Sequence, residues 1–325
     1  MSTTATITTR ATTRATGIAT TSPIPYFTLH TGRKIPAMAL GTWKSPNEEV
    51  ASAVFHAIKD GYRHIDTASH YENEEGVGAG IKRAIEELGV KRSELFVTTK
   101  IWLDDFHNVS NALDVSLQKL FPGDKDPYLD LYLMHWPISL NADKTLDTSI
   151  SFNEVWAELE KLPESKARDI GISNFTIANV KRLLSTAKKT PVVNQVELHP
   201  TLPQPRLVKF LLSGDYGFPL HDGKIIYPEA YCPLSRGNHD NPEIAKIAEK
   251  YGVSTANVVL SWGILRRTIV LPKSVTPSRI AENLKFVDLS KRDFDKVTEI
   301  VNKNPVHRHC SLAVADVFND NEDSK

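Results

Sequence analysis

The chain has little of several things that would settle its class early. Only two residues are cysteine, Cys232 and Cys310. That excludes a disulfide framework and a multi-cysteine zinc site, and it fits a reducing compartment. Neither sign of charge is in excess: 39 Lys and Arg face 39 Asp and Glu, so a general nucleic-acid binder is not expected. No apolar run approaches the roughly 20 residues of a membrane span, so no membrane association is expected. No His-Glu-x-x-His or paired-cysteine spacing occurs, so no metal is expected. A dinucleotide-binding turn of the Rossmann type needs Gly-x-Gly-x-x-Gly directly after a strand. The nearest stretch, Gly76-Val77-Gly78-Ala79-Gly80, has other spacing and lies in a helical pattern. These glycines read as small residues where a helix packs closely on a barrel.

What is present is alternation. Residues 26–35 read as a hairpin turning at Thr31-Gly32, and a strand follows over 37–41. Ser45, Pro46 and Glu48 have the pattern of an N-cap, first helical residue and capping box, and Gly61 ends that helix. Strands at 64–66, 96–100, 130–135, 168–173, 192–197, 226–231 and 268–272 then alternate with helices at 74–88, 109–120, 152–161, 177–187, 205–212 and 255–266. A last helix opens at Pro277. Strands alternating with helices mean a parallel sheet. Eight such units fit a closed (β/α)8 TIM barrel with an N-terminal β-hairpin better than an open doubly wound sheet. One domain is expected over 26–312, with no linker. Residues 1–25 are rich in Ser, Thr and Ala, with Arg10 and Arg14 and no acidic residue. They read as a disordered tail on a cytoplasmic protein, with a mitochondrial transit peptide as the alternative. Residues 313–325 read as a solvated acidic tail.

In a barrel the chemistry sits at the C-terminal ends of the strands. There the sequence places Trp43, Asp66, Lys100, His135, Ser173, Asn174, Gln195, Tyr231, Lys273 and Ser274, with Tyr71 just beyond a strand. Each alone has an ordinary explanation: Asp66 as a turn cap, Lys100 snorkelling to solvent, His135 as a satisfied core histidine, Tyr71 as packing. A polar residue at nearly every strand end is hard to assign to packing. Asp, Tyr, Lys and His together are the parts of a proton donor. An ammonium beside a phenol favours tyrosinate and lowers its pKa from about 10. Lys100 is expected to do this to Tyr71, with Asp66 holding the lysine and a neutral His135 orienting a carbonyl. Lys273 and Arg279, with the hydroxyls of Ser274 and Thr276, form a set suited to a phosphate.

These residues fall in motifs that resemble the aldo-keto reductase family. The motifs are Gly61-Tyr-Arg-His-Ile-Asp-Thr-Ala-Ser-His-Tyr-Glu-Asn-Glu, Leu131-Tyr-Leu-Met-His-Trp-Pro, Gly171-Ile-Ser-Asn-Phe, Asn194-Gln-Val-Glu-Leu-His-Pro and Leu271-Pro-Lys-Ser-Val-Thr-Pro-Ser-Arg-Ile-Ala-Glu-Asn. The likeness runs from about residue 26 to 312 and is greatest to the aldose, xylose and glycerol reductase branch. It implies an NADP(H)-dependent oxidoreductase that reduces a small-molecule aldehyde or ketone to an alcohol, as a monomer. Tyr71 would be the general acid, with Asp66, Lys100 and His135 completing a tetrad. Ser173, Asn174 and Gln195 would hold the nicotinamide amide, and Tyr231 would stack on its ring. Lys273, Ser274, Val275, Thr276 and Arg279 would take the 2′-phosphate, with Glu282 and Asn283 near the adenine. Gly41, Thr42, Trp43, Asp66 and Leu234 would complete the cofactor site. Trp43, Tyr71, Trp102, His135, Trp136 and Cys310 would form the substrate pocket, with Phe106 as a further wall.

Three departures from the family pattern fall where loops shape a pocket: a short segment 137–151, a long connection 214–224, and Ser235 where glycine is common after Tyr-x-Pro-Leu. Two other functions compete. One is a Schiff-base aldolase using Lys100 as nucleophile, which a charged lysine beside Asp66 opposes. The other is an NADPH-binding regulatory subunit without turnover.

Overall fold

A computed structural model describes residues 21–237, 240–312, 315, 317 and 318. The expectations for the first 20 residues and for most of the acidic end lie outside the described residues. The chain opens with a hairpin of β1 (Tyr26–Thr28) and β2 (Lys34–Pro36), turning at Gly32 in the left-handed region. Then β3 (Leu40–Gly41) leads to α1 (Asn47–Asp60), β4 (His64–Asp66) to α2 (Glu74–Leu88), and β5 (Phe96–Ile101) to α3 (Val109–Leu120). After β6 (Leu129–Met134) comes a small antiparallel pair, β7 (Ser139–Leu140) and β8 (Leu146–Asp147), before α4 (Phe152–Leu159). β9 (Ala167–Ser173) leads to α5 (Ile177–Leu184), and β10 (Val193–Glu197) to α6 (Pro205–Ser213). β11 (Tyr227–Tyr231) leads to α7 (Pro242–Tyr251) and α8 (Thr255–Leu265), and β12 (Ile269–Leu271) to α9 (Pro277–Asn283) and α10 (Lys291–Lys303).

Eight strands run parallel in the order β3, β4, β5, β6, β9, β10, β11, β12. The ring closes where Met38 pairs with Val270 and Gly41 with Lys273. This is the (β/α)8 barrel with an N-terminal hairpin. Leu29 and Ile35 of the hairpin segment join Phe96, Leu131, Val193, Tyr227 and Ile269 in one apolar cluster. That cluster plugs the N-terminal mouth, and the site is left to the other end. A second core fills the layer between barrel and helices.

Three expectations need correction. Ser45 is not an N-cap: α1 starts at Asn47 with Pro46 as its cap, and no side chain caps it. The Ser45 amide is used by Thr42 in a turn and its carbonyl by Asn73, which moves the helix start one residue on. The small residues of α2 do face a close contact, but not the barrel. A Cβ on Gly76 or Gly80 would meet the α1 backbone at 2.3 or 2.6 Å, and one on Gly78 would meet the Leu120 carbonyl at 2.4 Å. Finally, α7 and α10 have no place in the expected alternation. Their apolar faces (Ile244, Ile247, Ala248; Val297, Val301) pack with Val258 and Trp262 of α8 in a cluster outside the barrel repeat.

Candidate active site

Side chains along a strand alternate, so every second residue of a barrel strand faces the interior. His64 and Asp66, Thr98 and Lys100, Gln195, and Glu229 therefore meet inside the barrel. Lys100 is fully buried. Its Nζ donates to Asp66 Oδ1 at 2.8 Å and Oδ2 at 3.0 Å, to the Thr67 carbonyl at 2.7 Å and to the Tyr71 hydroxyl at 3.4 Å. Burial works against the ammonium, but Asp66, Tyr71 and Glu229 outweigh it and the lysine pKa stands above its ordinary value. Burial raises Asp66, against the pull of Lys100 and Gln195. At hydrogen-bond distance the two remain an ion pair.

Tyr71 corrects an expectation. Desolvation pushes its phenol up to about 12, and Lys100 opposes the rise without reversing it. The lysine limits the loss of acidity; it does not make the phenol more acidic than a free tyrosine. His135 behaves as expected. Burial, then the Lys100 and His70 charges, hold it well below the usual histidine range, so the ring is neutral. Its Nδ1 is buried without a partner. The ring stands edge-on to Trp102 at 5.0 Å and Tyr71 at 5.8 Å, and Asn174 Nδ2 donates to the His135 carbonyl at 2.9 Å.

Gln195 Nε2 donates to Asp66 Oδ2 and to Glu229 Oε2, both at 2.8 Å. The Asp66 carboxylate accepts only, which fixes the amide orientation and leaves Oε1 as an acceptor. Ser173 Oγ donates to the Gln195 carbonyl at 2.8 Å. Tyr231 donates from its hydroxyl to Asn174 Oδ1 at 2.8 Å.

Glu229 was not among the expected site residues. It is fully buried with Oε1 unpartnered. Burial and then the Asp66 charge push its carboxyl up to about 8. The groups facing it are Asp66, Lys100, Gln195 and His64, whose Nε2 lies 3.9 Å from Oε1. Burial holds His64 down to about 3, so it is neutral. The layer thus carries one ion pair and a protonated acid. In the fold Glu229 keeps its proton to about pH 8, while the ordinary value is 4.5. Between these values folding binds a proton, so stability falls as pH rises, by on the order of 1 kcal/mol per pH unit. Glu229→Gln removes that dependence. Urea unfolding at pH 5 and pH 8 is expected to show the wild type losing stability relative to the variant; identical pH dependence would exclude a neutral Glu229.

These groups open onto a cavity of about 350 Å³. Asp66, Tyr71, His135, Trp43, Trp102 and Trp136 line it, as do Gly41, Thr42, Asn174, Gln195, Tyr231, Lys273 and Cys310. A Cβ on Gly41 would lie 3.2 Å from the Leu271 carbonyl. Phe106 does not contribute, because it is buried in the layer between barrel and helices. Ser173 sits just behind the cavity wall, and Leu234 packs against apolar clusters. The remaining expected cofactor residues lie outside the cavity, beyond Lys273 at its edge. Lys273 and Arg279 are exposed cations. Ser274 Oγ accepts from the Thr276 amide at 3.1 Å, Arg279 donates to Thr276 Oγ1 at 2.6 Å, Glu282 pairs with Lys285, and Asn283 is mostly buried. Val275 is half-buried.

His70 and Glu197 carried no expectation. His70 stacks on Trp102 at 3.5 Å. Glu197, also fully buried, accepts from His199 Nε2 at 2.7 Å, from the His309 amide at 2.6 Å and from the Cys310 amide at 2.8 Å. It latches the C-terminal segment to the barrel. Its signal in the sequence was an acid inside an apolar strand. Ser235 takes φ 51°, a region that favours glycine. Its Oγ lies 2.9 Å from Thr201 Oγ1 and 3.0 Å from His309 Nε2, anchoring the same segment. The long connection 214–224 is at the wrong end to shape the pocket: it precedes β11 and is held by Tyr216, whose hydroxyl donates to the Leu211 carbonyl at 2.7 Å.

The aldo/keto reductase family model matches residues 37–302. The chain is 42% identical over 298 residues to glycerol 2-dehydrogenase (NADP(+)) of Saccharomyces cerevisiae, covering 84% of this chain and 89% of that protein. It is 40% identical over 275 residues to a methylglyoxal reductase of Escherichia coli, covering 84% and 90%. The crystal structure of a Bombyx mori aldo-keto reductase in complex with NADP superposes with a TM-score of 0.77 at 35% identity, covering 93% of this chain and 98% of that one. The chain belongs to the aldo/keto reductase family and is an NADP(H)-dependent oxidoreductase that reduces carbonyls to alcohols.

Proposed function

We propose that Tyr71 gives the proton to the carbonyl oxygen of a small aldehyde or ketone, with His135 orienting that oxygen and Asp66 and Lys100 setting the state of the phenol. The observation that carries this is the convergence of Asp66, Tyr71 and His135 on one cavity, with Lys100 buried directly behind Asp66 and Tyr71. The Lys100 ammonium is bound to Asp66 and reaches the Tyr71 hydroxyl. A charged lysine with these partners does not act as an amine nucleophile, which argues against the aldolase. The residues present fit NADP(H), which supplies the hydride when bound. Gln195 Oε1 is left as an acceptor for the nicotinamide amide, with Ser173 and Asn174 beside it. Tyr231 offers its ring face to the nicotinamide. Gly41, Thr42, Trp43 and Leu234 complete the cofactor site toward the phosphates. Lys273, Ser274, Val275, Thr276 and Arg279 take the 2′-phosphate, and Glu282 and Asn283 the adenine. Because α9 has only seven residues, the phosphate is held mainly by side chains.

Three tryptophans, Trp43, Trp102 and Trp136, wall the substrate side together with Cys310. A cavity of about 350 Å³ shared with the nicotinamide leaves room for a short-chain substrate. Relatives named for glycerol and for methylglyoxal support small polar carbonyls. The family resemblance is what supports a cytoplasmic monomer.

Following NADPH absorbance across small hydroxy-aldehydes, 2-oxo-aldehydes, sugars and bulky ketones tests the substrate class; turnover of bulky ketones alone would overturn it. The phosphate assignment has its own test. Arg279→Glu is expected to weaken NADPH by about ten- to a hundredfold, as loss of a charge-assisted pair does, while NADH changes little. Equal loss for both would sink the assignment.

A further inference from the structure

Cys232 and Cys310 are the only cysteines in the chain, 78 residues apart, yet their sulfurs lie 3.9 Å from one another. Both are partly exposed in the cavity wall. Carbonyl reduction calls for neither thiol. Each sulfur is placed by its own segment. Cys232 directly follows Tyr231 at the end of β11 and holds a left-handed φ of 51°, which a residue with a side chain seldom adopts. Cys310 is fixed from its backbone, since its amide and that of His309 donate to buried Glu197. The Arg236 guanidinium lies 3.4 Å from the Cys310 sulfur.

We propose that Cys232 and Cys310 form a peroxide-reactive pair, which a hydroperoxide closes into a disulfide that clasps the C-terminal segment to the loop after β11 across the cavity wall. Bonding distance is about 2.05 Å, so the sulfurs must approach by roughly 2 Å, shared between two side chains. The two thiols are chemically unequal. The contact with Cys232, which either thiol could donate, and then Arg236 draw Cys310 below the ordinary thiol range, while the same contact and burial push Cys232 up. The guanidinium 3.4 Å from its sulfur makes Cys310 the thiolate that attacks. Its sulfur takes an oxygen from hydrogen peroxide as the O–O bond breaks, giving a sulfenic acid, and the hydroxide released takes a proton to become water. The Cys232 sulfur then attacks that sulfenic sulfur and loses its proton; the S–O bond breaks and a second water leaves. Two thiols have lost two electrons and two protons, and one peroxide has become two waters.

The test uses the full chain and hydrogen peroxide, followed by denaturation, alkylation without reductant and intact mass. The expected result is a fall in alkylatable thiols from two to none, a mass lower by the two thiol hydrogens, and a monomer on a non-reducing gel. Turnover falls in step with the thiols, and dithiothreitol restores both. The Cys232→Ser variant should stop at the sulfenic acid of Cys310, trapped by dimedone. The thiol count is independent of the catalytic assignment. Thiols that stay alkylatable at doses that give the variant its dimedone adduct, or a disulfide between two chains, would overturn the pairing. An intrachain disulfide that leaves turnover unchanged would overturn the clasp.

Discussion

Replacing Tyr71 by phenylalanine is expected to cut carbonyl turnover by about 10²–10⁴-fold, the usual worth of a positioned general acid, and to leave NADPH affinity nearly unchanged. The hydroxyl removed makes one hydrogen bond, a 3.4 Å contact from Lys100, and the ring keeps its place beside His135 and over the Lys100 ammonium. Lys100 retains Asp66 and the Thr67 carbonyl, so the buried pair survives. The affinity should hold because the groups assigned to the cofactor amide, Asn174 and Gln195, are tied to His135, Tyr231, Asp66 and Glu229, none of them to Tyr71. Fluorescence titration with NADPH and steady-state rates separate the two effects. Cofactor binding lost together with turnover would mean that Tyr71 is structural. The pH profile adds a check. With the phenol at about 12, the acid stays protonated through neutrality, so wild-type reduction should not fall between pH 7 and 9 from Tyr71 ionising.

How much of this was legible in the sequence differs by residue. The grouping of Asp66, Tyr71, Lys100 and His135 was legible because each is a polar residue at or just past the end of an apolar run, and the barrel gives all strand ends one location. The direction of the Tyr71 shift was not, because it is a balance between desolvation and one ammonium, and a sequence shows the charge but not the burial. Glu229 lies in a run that reads as an ordinary strand. Its weight comes from Gln195 on the neighbouring strand and from Asp66 beyond it. Helices α7 and α10 were missed because an alternating β/α pattern predicts one helix per strand, and these two bury their faces against α8. The cysteine pair depends on a latch at Glu197 that only the folded chain displays.

Lys100 is the residue whose loss should reach furthest. Methionine there fills a similar volume but leaves the Asp66 carboxylate buried with Gln195 as its remaining side-chain donor. Breaking a buried ion pair from one side costs about 3–5 kcal/mol, most of it the stranded charge. Lys100→Met should therefore lower unfolding stability by that amount and also abolish most turnover, since the ammonium that restrains the rise of Tyr71 is gone. The second variant separates the causes. Asp66→Asn with Lys100→Met removes both charges, and the asparagine carbonyl still accepts from Gln195, so most of the lost stability should return while turnover stays low. A denaturant series on the wild type, both single variants and the double gives the coupling directly. If Lys100→Met were as stable as the wild type, Asp66 would have to be taking up a proton at no cost, and the layer would hold two neutral acids, Asp66 beside Glu229. In that case Asp66→Asn would add nothing to the single variant, and the role of Lys100 would be confined to the phenol.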